Sequence, residues 1–91
     1  MRAKRTDFNQ KQVVEGLRKF GMTIAVTSSL GSGFPDIVVG YKGKNWLFEL
    51  KDPEKSPSQK KLTPHEEEFK ASWRGQYNVV ETIEDVLKII K

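Results

Sequence analysis

The stretch that most constrains this chain is residues 45–51 (NWLFELK), where apolar and charged residues alternate. At a period of two, Trp46, Phe48 and Leu50 point to one face, while Leu47, Glu49 and Lys51 point to the other. The first face demands a hydrophobic layer. The second carries a carboxylate and an ammonium two residues apart, which are costly to bury unless something pairs with them. The chain is therefore expected to form a sheet with an apolar layer on one side and a charged site on the other.

A partner for that site lies just upstream. Ile37-Val38-Val39 is a continuous apolar run, the pattern of a strand buried on both faces, and Asp36 opens it. Lys42-Gly43-Lys44-Asn45 reads as a hairpin turn, so the hairpin brings Asp36 alongside Glu49. Two converging carboxylates raise each other's pKa unless a cation sits between them. With oxygen donors only, that cation is a hard one, Mg²⁺ or Mn²⁺, and the Leu50 backbone carbonyl is a natural third ligand. Such an ion polarises a phosphodiester and acidifies water, while Lys51 orients the water or holds charge developing on the phosphoryl oxygens. Asp36, Glu49 and Lys51 are the expected catalytic set, and the chemistry they fit is phosphodiester hydrolysis. The bland alternative is an exposed Glu/Lys pair on a solvated sheet face.

The rest of the chain supplies layers. Residues 7–20 are predicted as a helix with Asp7 as N-cap, Gly21 as the left-handed stop, and Val13, Val14, Leu17 and Phe20 on one arc. Residues 22–27 read as a strand and 28–34, rich in Gly and Ser, as a flexible loop. Residues 52–62 form an exposed basic loop, and residues 1–6 a flexible basic arm. Thr63-Pro64 followed by Glu66-Glu67 starts a helix running to about Arg74, where Gly75 ends it. A short strand at 77–80 and a last helix capped by Thr82 complete the order α-β-β-β-α-β-α. This is an α/β (α+β) fold with a small mixed sheet flanked by helices.

At 91 residues this is a single domain with a thin core. Charged residues are 31 % and apolar residues 36 %, the balance of a folded soluble domain. No Cys is present, which excludes disulfides and thiolate-bound zinc. No apolar run is long enough for a membrane span, and the basic N-terminus is not followed by the apolar segment of a signal peptide, so a cytoplasmic location is expected. The net charge of +4 favours a polyanionic partner.

The segments Gly33-Phe34-Pro35-Asp36 and Glu49-Leu50-Lys51 resemble the PD-(D/E)XK nuclease superfamily. More narrowly, the chain resembles the virus-type replication-repair nuclease (VRR-NUC) domain. That likeness also rests on the first helix with Gln10, on Asp52-Pro53 after the Glu-Leu-Lys strand, and on Leu62-Thr63-Pro64 opening a helix. It implies a restriction-endonuclease-like fold and a Mg²⁺- or Mn²⁺-dependent endodeoxyribonuclease acting on branched DNA. It further implies a homodimer like the Holliday-junction resolvases, often phage-borne and then working in a bacterial host cell.

Relatives often place a metal-supporting acid on the first helix. Here Glu15 lies opposite the apolar arc, so Gln10, inside it, is preferred for that role, with Asp7 a weaker candidate. Relatives also carry Gln in the first turn of the helix after the loop, where this chain has Glu66, with His65 beside it as an exposed first-turn residue. DNA phosphates are expected at Arg5, Ser32, Lys42, Lys44, Lys55, Lys60 and Lys61, with Arg2, Lys4 and Arg74 as further candidates. The stretch 55–61 would close over a backbone bound at Asp36 and Glu49, and residues 28–32 would offer backbone N–H groups. Trp46 and Trp73 read as core or interface residues rather than as base-stacking platforms. The alternatives are a same-fold nuclease for flaps, ends or duplex, and a non-catalytic DNA-binding module.

Overall fold

The computed structural model describes residues 5–91, with side chains from residue 9 onward. The expected roles of Arg2 and Lys4, and of the Arg5 and Asp7 side chains, lie outside the described residues. Three helices, α1 (Arg5–Lys19), α2 (Pro64–Ser72) and α3 (Ile83–Ile90), surround four strands: β1 (Thr23–Val26), β2 (Ile37–Tyr41), β3 (Lys44–Leu50) and β4 (Asn78–Val80). The sheet order is β1-β2-β3-β4; β1, β2 and β3 form an antiparallel meander and β4 joins β3 in parallel. The expected order of elements and the mixed sheet are both present. Among the described residues, no helix is long and apolar enough to cross a membrane.

The core lies on the face of Phe48 and Leu50. Val13, Val14 and Leu17 of α1, Ile24 of β1, Ile37 and Val39 of β2, Val80 of β4 and Val86 of α3 close on it. Burying each such side chain contributes about 1.5–3 kcal/mol, and together they fix α1 and α3 to this side. The predicted arc of α1 holds except at Phe20, which is 55 % exposed. The helix ends at Lys19, and Gly21, at φ +87°, turns the chain so that Phe20 leaves the arc. The Gly21 N–H donates to the Arg18 carbonyl (3.0 Å) and the Met22 N–H to that of Leu17 (3.3 Å), closing the helix end. Because α1 begins at Arg5, the expected flexible arm does not reach residue 6.

Two segments read as loops are more ordered than their composition suggests. Residues 28–34 contain a 3₁₀ turn (Ser28–Leu30), and Thr27 ties their base. Its hydroxyl donates to the Pro35 carbonyl (2.8 Å) and its N–H to that of Asp36 (2.8 Å). The basic stretch after β3 contains a second turn (Pro57–Lys60) closed by a Ser56/Gln59 capping box. Val38 is half-buried between buried Ile37 and Val39, so β2 is fully covered on one face only.

Candidate functional site

The β2–β3 hairpin sets the register from which the site follows. Lys42 (φ +53°) and Gly43 (φ +80°) make a two-residue turn with both φ angles positive, the geometry that matches strand twist. Tyr41 therefore pairs with Lys44 and Ile37 with Phe48. One step beyond that ladder, Asp36 stands opposite Glu49, and opposed residues share a face. Phe48 points into the core, so Asp36, Glu49 and Lys51 all belong to the other side. The alternation in residues 45–51 thus survives intact in the fold.

A third carboxylate completes the group. Thr63 caps α2 by accepting from the Glu66 N–H (3.3 Å), and the Glu66 carboxylate returns the bond by accepting from the Thr63 N–H (2.9 Å). The same oxygen, Glu66 Oε1, accepts from Lys51 Nζ at 3.0 Å, and Lys51 stands 3.6 Å from Glu49 Oε2. What lets α2 come this close is Gly33, at φ +81°, packed on the first turn of the helix. A Cβ there would collide with the His65 carbonyl oxygen.

Asp36 Oδ2 accepts from the Leu50 N–H at 2.8 Å, which anchors the aspartate to β3. Glu49 is only 4 % exposed, and its Oε1 has no hydrogen-bond partner among the described residues. Burial, then the charges on Asp36 and Glu66, push the Glu49 carboxyl up to about 9. Burial also raises Asp36, against the Leu50 N–H, which favours its charged form. Burial acts on Glu66 too, but its hydrogen bonds from Glu49, the Thr63 N–H and Lys51 outweigh it and hold this carboxyl below its ordinary range. The cluster thus lacks one positive partner at its deepest point.

These residues line a hollow of about 180 Å³ with Leu50, Asp52, Lys55 and Gln59. Three carboxylates against one lysine leave an excess of two negative charges when all are ionised, the charge of one divalent ion. The donors are oxygen only, the set preferred by Mg²⁺ and Mn²⁺. Among the described residues, no three acidic, His or Cys side chains converge as a ready cage. An ion that keeps several waters needs only one or two carboxylates, and Asp36 and Glu49 are the residues that could hold one.

The other expected residues divide. Lys55 lines the hollow, whereas Lys60 is held by Glu81 (3.1 Å) and Lys61 and Ser32 are exposed. Lys42 and Lys44 sit at the far end of the hairpin, five register steps or roughly 17 Å from the Asp36–Glu49 pair, so they do not line the hollow. Gln10 is not brought to the cluster. It shares a separate depression with Lys11, Val14, Glu15, Arg18 and Val26. The amide from α1 that approaches is Asn9, whose Nδ2 donates to the Lys51 carbonyl at 3.4 Å. Asn9 lies on the edge of the apolar arc, and that edge is the sequence signal for it. His65 is exposed, its side chain 3.9 Å from Glu68.

Tyr77, just before β4, had no sequence signal. Its hydroxyl is buried without a partner among the described residues, and burial, then the charges on Glu49, Glu66 and Asp36, raise its pKa.

No family model matches the chain, and no match is found among curated proteins. The chain is similar to a solved structure described as a "VRR_NUC domain". The two are 27 % identical, the likeness covers 97 % of this chain and 96 % of that one, and the TM-score is 0.61. The fold class is therefore a mixed α/β layer structure matching that of a VRR_NUC domain. The similarity supports assigning this chain as a VRR-NUC domain, which points to a nuclease family.

Proposed function

We propose that this protein is a Mg²⁺- or Mn²⁺-dependent endonuclease that hydrolyses phosphodiester bonds in DNA, with Asp36, Glu49 and Lys51 as its catalytic residues. The observation that carries this reading is the orphaned, buried Glu49 Oε1 beside Asp36, in a cluster whose negative charge exceeds its positive charge. A divalent ion held by Asp36, Glu49 and the Leu50 carbonyl would supply Lewis-acid polarisation of the phosphodiester and acidify water.

The protein's own groups account for the remaining work. The Leu50 N–H fixes Asp36, so one ligand is oriented before any ion arrives. Glu66 holds Lys51 Nζ, and both residues line the hollow, where the ammonium can meet the charge developing on the phosphoryl oxygens. Lys55 adds a second cation on the loop side.

Preference for branched DNA and action as a homodimer are part of the proposal, and their support is the resemblance to VRR-NUC domains. The test is incubation with a four-way junction, a flap and a linear duplex, each with Mg²⁺, Mn²⁺ or EDTA, alongside Asp36→Asn and Lys51→Ala. Metal-dependent cleavage lost in both variants is expected. Cleavage that survives Asp36→Asn overturns the site. Equal rates on junction and duplex remove the branched preference, and unpaired nicks remove the two-fold enzyme.

A further inference from the structure

Beside the acidic hollow, α2 carries a run of aromatic side chains. Phe69 and Trp73 follow Glu66 by one and two turns, and Phe34 comes from the loop that leads into Asp36. Phe69 and Trp73 stack with centroids 5.0 Å apart and planes 18° from parallel. Phe34 meets both edge-on, at 5.3 and 6.4 Å. Phe34 and Phe69 are half-buried, but Trp73 remains 40 % exposed although one face of its indole rests on Phe69. Gly75 folds back along the indole edge, where a Cβ would lie 2.9 Å from Nε1, so a side chain there would crowd the ring. Two exposed cations, Lys70 and Arg74, directly follow Phe69 and Trp73 in the chain.

We infer that Trp73 is a stacking platform for an unpaired base of the nucleic-acid substrate, a few nucleotides from the scissile phosphate. This rests on the nuclease reading above and specifies which DNA the same site takes. The geometry argues for it in three ways. The platform and the hollow share an element: α2 supplies Glu66 in its first turn, and Trp73 caps its C-terminal end about 10 Å further along the axis. At about 3.4 Å per nucleotide along one strand, that is roughly three nucleotides from the phosphate in the hollow. The flanking chemistry is complementary: an aromatic face for a base, with an ammonium and a guanidinium for the adjoining phosphates. In duplex DNA the base faces are occupied by their neighbours, so the platform favours a strand with unstacked bases, as at a flap or the centre of a junction.

The test is equilibrium binding in EDTA, which separates recognition from cleavage. The probes are a single-stranded oligonucleotide, a flap and the matching linear duplex. One stacked base is worth about 1–3 kcal/mol, or roughly 5- to 150-fold. Trp73→Ala is therefore expected to weaken the single strand and the flap by about tenfold or more and the duplex by less than about twofold, with Trp73→Phe retaining most of the affinity. Should Trp73→Ala fail to fold, Trp46→Phe leaves Trp73 as the sole tryptophan, and its fluorescence should be quenched by single strand and not by duplex. Unchanged affinity, equal loss on all three probes, or equal quenching by duplex overturns the inference. So does a shift from dimer to monomer in Trp73→Ala with strand preference kept, which would make the patch a protein contact. Selective loss without any metal-dependent cleavage would sink the nuclease reading alone. Cleavage with no effect of Trp73 would sink only the platform.

Discussion

Replacing Glu49 by Gln should stabilise the metal-free protein while abolishing its activity. Burial and two neighbouring carboxylates lift Glu49 from 4.5 to about 9, so the folded protein keeps a proton that the unfolded chain releases. A carboxyl raised on folding contributes no penalty below 4.5, and stability then falls as pH climbs toward about 9. Each pH unit in that window costs about 1.4 kcal/mol, so near neutral pH the penalty approaches roughly 3 kcal/mol. The carboxamide of the Glu49→Gln variant cannot ionise and keeps the shape, so the variant escapes that loss. In a domain of this size about 3 kcal/mol corresponds to a melting-temperature gain of roughly 12–20 °C. Thermal melts of both proteins in EDTA from pH 5 to 9 should coincide at the acid end and diverge as pH rises. Saturating Mg²⁺ should raise the wild-type curve and leave the variant's nearly unmoved, because binding to the folded state alone is stabilising. Parallel curves across the range, or equal metal stabilisation of both proteins, would refute the reasoning.

Two other substitutions probe how the site is assembled. Gly33→Ala places a Cβ against the His65 carbonyl at a positive φ, so it should cost about 2–3 kcal/mol, read by urea denaturation, and lower cleavage by displacing α2. Glu66→Gln retains an oxygen for both Thr63 N–H and Lys51 Nζ, so cleavage should persist. Because the Glu66 carboxyl is held low in the fold, its charge stabilises above the ordinary carboxylate range. The variant should therefore lose about 1 kcal/mol or less near neutral pH, a gap that closes as pH falls in chemical-denaturation curves. Glu66→Ala also opens the capping box and should cost about 1 kcal/mol more.

Much of this molecule was readable from residues 36–51 alone. Strand alternation has a period of two, so the sequence already placed Glu49 and Lys51 on the face opposite Phe48 and Leu50. The sequence places a hairpin turn across residues 42–45; its narrowing to Lys42-Gly43, and with it the register that sets Asp36 opposite Glu49, belongs to the fold. The caps at Thr63 and Thr82 were equally local, since each needs only a side chain within one helical turn. On α1 the arc predicts the burial of Val13, Val14 and Leu17 but not where the chain leaves the helix, so Phe20, beyond the last helical residue, falls outside it. Gln10 faces the flank of α1 shared with Glu15 and Arg18, while Asn9, only about 1.5 Å away along the axis, reaches Lys51 from the other flank, and a helical wheel does not say which flank meets β3.

What only the tertiary structure decided is the arrival of α2. Nothing local to Glu66 reveals that it shares an oxygen between its own helix cap and Lys51, nor that Gly33 must lack a side chain for this to happen. Those facts depend on how closely two segments about thirty residues apart approach, a distance set by packing. The burial that orphans Glu49 Oε1 is likewise a property of the closed layers. The sequence named the charged face; the fold withdrew it from water, and that withdrawal turns a pair of charges into a candidate cation site.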